Sequence, residues 1–129
     1  DREKIINVIK LLQKRIFTLR EFIFQSRIFF ESKVEFAEGA KEKYLTNQNV
    51  RNWFTELINV LNSITSFDIE TLEKEFRALT TRLGIKTGEL VHPTRVALTG
   101  RTVGPGLFET MHLLGKETII RRLREYTAL

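Results

Sequence analysis

Apolar residues recur every three or four positions along almost the whole chain, and this spacing constrains the fold more than any other feature. The first such stripe comprises Ile5, Ile9, Leu12 and Ile16. The same spacing returns at Trp53, Leu57, Leu61 and Ile64, at Leu72, Phe76, Leu79 and Leu83, at Leu107, Met111 and Leu114, and at Ile119, Ile120, Leu123 and Tyr126. Such spacing places apolar side chains on one face of an α-helix. No segment alternates apolar and polar residues for long enough to form a strand, so the sequence predicts an all-α fold.

Local signals divide the predicted helices. Thr18 and Glu21 have the spacing of a capping box, which predicts a second helix from that point. Residues 27–36 are rich in aromatic side chains without helical spacing, and we expect an irregular packed connection there. A short helix is predicted over 38–44. The polar break at 43–49 separates two helical subdomains, a stem over 1–45 and a second subdomain over 46–129.

Capping residues mark the later helices. The polar stretch 46–49 supplies N-cap candidates, Asp68 is a typical N-cap, and Gly84 and Gly100 are typical residues just after a helix. Pro105 is expected in the first turn of a helix, where its missing N–H removes no hydrogen bond.

Composition excludes several classes of site. The chain has 129 residues, a formal net charge of +5 and no cysteine, which excludes disulfides and thiolate metal sites. Only His92 and His112 offer an imidazole, so a structural zinc site is not expected. No apolar run is long enough to span a membrane. The first residue is Asp1 and not Met, and helical spacing begins almost at once without a signal-peptide segment, so we interpret the chain as a fragment of a longer, cytoplasmic protein. We also expect it to be a monomer.

The last third of the chain has a different character. Residues 84–115 hold six of the seven glycines and both prolines. Arginines follow the turns and the last helix, at Arg95, Arg101, Arg121, Arg122 and Arg124. Exposed helix N-termini beside arginines favour phosphate, and single-stranded RNA is read at its unstacked bases. The same charges are also typical of a solvated helical face, so charge alone leaves both interpretations open.

Enzymatic sites have little support. The run Gly100, Gly104, Gly106 lacks the Gly-Lys-Ser/Thr ending of a phosphate-binding loop. Neither histidine has a serine or cysteine close in sequence, and no carboxylate pair stands out, so no catalytic residue, cofactor site or metal site is predicted. We expect His112 to be a helix-packing or helix-boundary residue. Because His92 precedes a proline, we expect it outside the α conformation.

An ordered set of short motifs nevertheless resembles a known family. The motifs are Leu83-Gly84-Ile85-Lys86, Gly88-Glu89-Leu90, Pro93-x-Arg95-x-Ala97-Leu98-Thr99-Gly100, Pro105-Gly106-Leu107-Phe108-Glu109 and Leu114-Gly115-Lys116-Glu117, with a closing Arg122. Together they resemble the carboxy-terminal anticodon-binding region of bacterial-type glutamyl-tRNA synthetases. Upstream, residues 13–15, 18–21 and 29–30 are similar to the helical region that leads into that domain.

The resemblance implies a class I ligase as the parent enzyme. Such an enzyme uses ATP and Mg²⁺ to activate glutamate and attaches it to its tRNA. The two nucleotide-binding signatures of the family, a His-x-Gly-His-like turn and a Lys-Met-Ser-Lys-like loop, are absent from this sequence. The resemblance therefore implies that this chain needs no cofactor itself and recognises the anticodon loop of a glutamate tRNA.

The family's anticodon contacts map onto matching positions. Arg95 would read a base edge or hold phosphate, and Pro105 and Leu107 would make apolar contact with splayed bases. His92 stands where a glutamine is common, Gly104 replaces a hydroxyl residue and Thr94 replaces a leucine, so only part of the pattern is kept.

An upstream arginine in relatives judges the third anticodon base. Arg15 and Arg20 are the candidates by position, and whether glutamine tRNA is also charged stays open. Phosphate contacts are expected from Arg101, Arg121, Arg122 and Arg124.

Two other functions remain to be weighed against anticodon recognition. The basic ends could instead dock acidic partners, as in a protein-interaction module without tRNA specificity. A helix-turn-helix reader of double-stranded DNA is disfavoured, because no two-helix unit combines a short turn with polar base-reading residues on one face.

Overall fold

A computed structural model describes residues 1–12, 26–31 and 34–127 of the chain. Within these ranges there are seven helices and no strand, which confirms the all-α prediction. In chain order they are α1 (Arg2–Leu12), α2 (Ala40–Tyr44), α3 (Gln48–Ser63), α4 (Ile69–Leu83), α5 (Thr87–Thr99), α6 (Leu107–Leu114) and α7 (Lys116–Arg124). The capping box predicted at 18–21 lies outside the described residues. None of the helices in these ranges combines the length and the hydropathy that a membrane span requires.

Helix α5 lies at the centre of the bundle. It packs against α2, α3, α4 and α7, while α6 packs on α4 and α7 on α3. Leu90, Val96 and Leu98 of α5 are completely buried, and Phe54 of α3 and Phe76 of α4 fill the space beside them. Because α5 is packed on most sides, its carboxyl end and the turn that follows are held in a fixed position.

The predicted caps of the two longest helices are confirmed. The Asn47 side chain accepts from the Asn49 N–H at 2.8 Å, and the Asp68 carboxylate accepts from the Thr71 N–H at 2.7 Å. A hydrogen bond from the Ser66 hydroxyl, followed by the one from Thr71, lowers the pKa of Asp68 from 3.8 to about 2. Gly84 ends α4 with φ +72°, the left-handed conformation that glycine adopts without strain.

The first helix buries a different face from the predicted one. Ile5 and Ile9 are 47% and 38% exposed, whereas Val8 and Leu12 are 2% and 1% exposed. The apolar arc of α1 is broad, and only its Val8–Leu12 edge is buried, in the helix that packs on α6. Spacing alone does not determine which edge of the arc is buried, so the prediction is wrong for Ile5 and Ile9 and confirmed for Leu12, while Ile16 lies outside the described residues.

Both prolines occupy positions other than those predicted. Helix α5 continues through Pro93, which is buried, so His92 is helical and not extended. The break in the hydrogen-bond ladder falls opposite Glu89, an exposed residue, and burial of the surrounding helix outweighs the local preference. Pro105 precedes the N-cap Gly106 instead of lying in the first turn of α6.

Contacts cross the predicted division at residue 45. The short helix α2 begins at Ala40, later than predicted, and packs on α5, and α1 packs on α6. The Ala37 N–H also donates to the Gly100 carbonyl at 2.7 Å. The described residues of both parts share one hydrophobic core, and the division into two subdomains stays a prediction.

Candidate nucleic-acid interface

The end of α5 and the turn 100–106 form a corner, which we define as Arg95 together with residues 100–106. Gly100 ends α5 with φ +75°, as predicted. A Cβ at this position would collide with the Glu35 carbonyl and approach a methyl group of Val34. The close approach of the 34–37 segment and the positive φ both require glycine here, so the direction in which the chain leaves α5 is fixed.

Arg95 crosses from α5 to the far side of this corner. Its Nη1 donates to the Pro105 carbonyl at 2.6 Å, and the side chain is half-buried. A Cβ at Gly104 would lie 3.4 Å from the same nitrogen, so the backbone of the turn passes directly beside the guanidinium. The hydrogen bond and the close backbone hold the charge at the corner in one position.

The amino ends of the neighbouring helices are covered by their own carboxylates. The Glu89 carboxylate accepts from the Lys86 N–H at 2.7 Å at the start of α5. At the start of α6, a Cβ on Gly106 would overlap the Glu109 carboxylate, which therefore lies over the first turn. A negative group in the first turn already satisfies the positive end of the helix dipole. The prediction that exposed helix N-termini bind phosphate is therefore wrong for the N-termini of α5 and α6.

His92 lies on the same face of α5 as Arg95, one turn earlier. It is exposed, and its ring stacks on that of Tyr44 with centroids 6.0 Å apart and planes 30° apart. Residues three apart on a helix are neighbours on its surface. The structure thus brings His92, Arg95, Gly104 and Pro105 together, although the sequence predicted the wrong backbone conformation for His92.

The apolar side chain offered at the corner is not the predicted one. Leu107 is 4% exposed and belongs to the core, so it cannot place its side chain against a base. Val103 is 69% exposed, at the tip of the turn, and Pro105 beside it is half-buried. A β-branched residue between two turn glycines, outside the helical spacing, was the available signal for Val103 in the sequence.

Arg122 is an interior residue and not a phosphate contact. It is 3% exposed and donates to the carbonyls of Leu98 at 2.6 Å, Ile28 at 2.8 Å and Glu31 at 2.7 Å. Loss of hydration on burial, followed by the neighbouring charge of Arg121, lowers its pKa from the ordinary arginine value. Its guanidinium ties α5 to the turn at 28–31, so the predicted role in phosphate binding is wrong.

The other predicted phosphate contacts lie on two surfaces. Arg101 is half-buried at the corner, where its backbone N–H donates to the Thr99 hydroxyl at 3.1 Å. Arg121 and Arg124 are exposed and line an open groove of about 400 Å³ between α3 and α7. Arg15 and Arg20, the predicted readers of the third anticodon base, lie outside the described residues.

His112 lies in the last turn of α6, where it contacts the segment that precedes α4. Its Nδ1 lies 2.8 Å from the Phe67 carbonyl, and because a carbonyl only accepts, Nδ1 carries the proton. In the ranges that the structure describes, no three histidine or carboxylate side chains come together in a way that could hold a metal ion.

Comparison with known proteins points to one family. A family model described as an anticodon binding domain matches residues 1–127. The chain is 42% identical, over 97% of its length, to the glutamate–tRNA ligase of Elusimicrobium minutum, and 37% identical, over 95%, to that of Moorella thermoacetica. In both cases it spans about a quarter of the relative, 25% of its length.

Solved structures share the fold. A glutamate–tRNA ligase from Elizabethkingia meningosepticum, crystallised with its amino acid, aligns over 98% of this chain and 25% of its own, with a TM-score of 0.85 and 24% identity. The glutamate–tRNA synthetase of Elizabethkingia anophelis aligns over 98% of this chain and 24% of its own, with a TM-score of 0.78 and 25% identity.

Proposed function

We propose a function from one premise, that this chain belongs to the anticodon binding domain family. The chain recognises the anticodon loop of a glutamate tRNA on behalf of a longer protein. The relatives it matches are glutamate–tRNA ligases, of which it spans about a quarter, 25% in the first. The resemblance in the motifs of residues 83–117 points to the same function.

The observation that carries the proposal is the arrangement at the corner. The Arg95 guanidinium is fixed against the Pro105 carbonyl at 2.6 Å, beside exposed His92 and exposed Val103. Unpaired bases are recognised by polar groups at their edges and by contacts on their faces. The corner and His92 supply both kinds of contact on one surface. The Arg95 cation and the His92 nitrogens contact base edges, and the exposed Val103 side chain contacts a base face.

Each group at the corner has a distinct part in this function. Arg95 reads a base edge or holds the phosphate next to it, and His92 donates to or accepts from a second edge. Val103 takes the apolar contact that the family resemblance implied for Leu107, and Pro105 lies close to it in the same turn. Gly104 offers only its backbone. Arg101, Arg121 and Arg124 contribute sequence-independent attraction to phosphate.

For the longer protein we propose ligation of glutamate to its tRNA with ATP and Mg²⁺, in domains that this chain does not contain. The residues of the chain itself do not fit an ATP site, because both nucleotide-binding signatures of the ligase family are absent from the 129 residues. No step of the ligation is therefore assigned to them. A monomeric state, a cytoplasmic location and discrimination of the third base by Arg15 or Arg20 stay part of the proposal.

The test compares two tRNAs. The chain is titrated with a glutamate tRNA and with a tRNA of unrelated anticodon, at two salt concentrations. We expect weak binding with preference for the glutamate tRNA, because contacts from other domains would normally raise the effective concentration. Arg95→Ala should weaken binding to the glutamate tRNA by about 1–3 kcal/mol and reduce the preference.

Arg124→Ala is the matched control, since it removes an exposed arginine away from the corner. It should weaken binding to both tRNAs equally. An equal loss for both tRNAs with Arg95→Ala would demote Arg95 to a phosphate contact. Equal binding of both tRNAs without salt dependence would refute anticodon recognition and favour a protein-interaction module.

A further inference from the structure

The short helix α2 presents two side chains, Tyr44 and Lys43, to which the proposed function assigns no role, and it places them beside His92. Tyr44, its last residue, stacks on His92 with centroids 6.0 Å apart, and the Lys43 Nζ lies 5.3 Å from the centre of the Tyr44 ring. Two stacked rings beside a flexible cation have the composition of a binding surface for unpaired nucleotides. We define Tyr44, His92 and Lys43 as the shelf.

The shelf is rigid although α2 has only five residues. Isolated helices of that length do not persist in water, so tertiary contacts must hold it. Ala40 and Leu45, at the two ends of α2, are 3% and 5% exposed, and α2 packs along α5. A half-buried Tyr44 between these anchors loses little freedom when a ligand binds, which lowers the entropic cost of recognition.

The shelf is also continuous with the corner. His92 and Arg95 are three residues apart on α5 and share a face. The Ala37 N–H, just before α2, donates to the Gly100 carbonyl at 2.7 Å, which joins the α2 side of the surface to the end of α5. A chain of nucleotides bound at the corner would therefore meet the shelf next.

We propose that the shelf stacks one unpaired nucleotide of the bound loop, a step that rests on the proposed function. The base stacks on the exposed ring of His92. Tyr44 packs against the same ring, and Lys43 lies near the adjoining phosphate. Every base has a π-face, so stacking on the ring face of His92 adds affinity without base preference, apart from any contact that the ring nitrogens make with a base edge. In this it differs from Arg95, which supplies the preference.

The charge around the rings favours a nucleotide over an acidic peptide. A peptide carboxylate would use Lys43 but would leave the two stacked rings without a partner. A nucleotide uses both, through its base and its phosphate. An RNA that lacks a single base therefore distinguishes nucleotide stacking from simple attraction to Lys43.

The experiment uses the chain and an RNA hairpin with the anticodon loop of a glutamate tRNA. The fluorescent base 2-aminopurine, whose emission is quenched by stacking, replaces each loop nucleotide in turn. Variants are Tyr44→Leu, Tyr44→Phe and His92→Ala, with Phe67→Leu as a control that removes a half-buried ring between α3 and α4. His92 is exposed, so its removal leaves the fold intact even if Tyr44→Leu lowers stability.

We expect quenching at one loop position on binding. Tyr44→Leu and His92→Ala should each weaken binding about five- to tenfold, the lower part of the range for base–aromatic stacking, and remove that quenching. Tyr44→Phe keeps the ring and should stay within about twofold, as should Phe67→Leu. Removing the base at the quenched position should abolish the effect of His92→Ala.

Two results would overturn the shelf while sparing the proposed function. One is binding and quenching both unchanged by Tyr44→Leu while Arg95→Ala still reduces the preference between tRNAs. The other is a loss that is the same whichever base is removed. If Arg95→Ala also leaves the preference unchanged, the proposed function itself fails.

Discussion

Replacing Arg122 with alanine should destabilise the fold substantially and leave RNA attraction almost untouched. The guanidinium donates to three carbonyls at 2.6–2.8 Å, from Leu98, Ile28 and Glu31. Hydrogen bonds to charged groups contribute about 1.5–3 kcal/mol each after desolvation is counted, and three bonds made by one guanidinium do not add in full. We expect a net decrease of about 3 kcal/mol in the free energy of unfolding.

Urea unfolding followed by circular dichroism measures this quantity. Arg121→Ala and Arg124→Ala are matched controls on the same helix, because both side chains are exposed, and each should change the free energy by less than about 0.5 kcal/mol. The Arg122 variant should lower the urea midpoint with little change in the slope. A midpoint equal to that of the parent chain, with an unchanged slope, would refute the structural role. A lower salt dependence of RNA binding in a stable Arg122→Ala chain would restore the phosphate role.

Three further predictions concern other parts of the structure. The pKa of Asp68 is lowered to about 2, so its ionised cap stabilises the fold above about pH 4 and this contribution is lost as the pH falls toward 2. Asp68→Asn should therefore show a smaller fall in melting temperature between about pH 5 and about pH 2.5. Gly100→Ala should cost at least about 3 kcal/mol of unfolding free energy, through left-handed strain and a backbone collision, whereas Gly84→Ala, with open space around it, should cost about 1–2 kcal/mol. Arg121→Ala and Arg124→Ala should each lower the slope of log binding constant against log salt by about 1.

Each of these has a result that contradicts it. If the melting temperature of the Asp68→Asn chain falls with pH as much as that of the parent chain, the ionised cap does not contribute to the acid dependence of stability. Equal urea midpoints for the two glycine variants would mean that the segment before α2 moves aside at no cost. An unchanged salt slope would show that the groove between α3 and α7 does not meet phosphate.

The all-α fold and most helix ends could be predicted because their causes are local. The side chain of Asp68 reaches an N–H three residues away, and Gly84 and Gly100 adopt a backbone conformation that few other residues accept. Such interactions lie within a few neighbouring residues, so they are legible in the sequence. The family resemblance in residues 83–117 also indicated the corner as the candidate site.

Errors arose where a distant segment decided the outcome. Spacing gave α1 a broad apolar arc, and its contact with α6 buried the Val8 edge and left Ile5 exposed. The proline rule predicted that His92 lies outside a helix, and the packing of α5 against four other helices outweighed that rule. Leu107 was assigned to the surface by resemblance, but it is the first buried residue of α6.

The sequence by itself determined a basic, all-helical chain with a sharply bent, glycine-rich turn near Arg95, since these follow from side-chain spacing, capping and charge. Only the tertiary structure decided which arginine is structural and which faces solvent. Arg121, Arg122 and Arg124 are alike in sequence, yet Arg122 alone of the three meets carbonyls from residues 28–31, more than 90 positions away. Whether a charged side chain is buried depends on which distant segments pack against its helix. The spacing of residues within that one helix does not specify those segments.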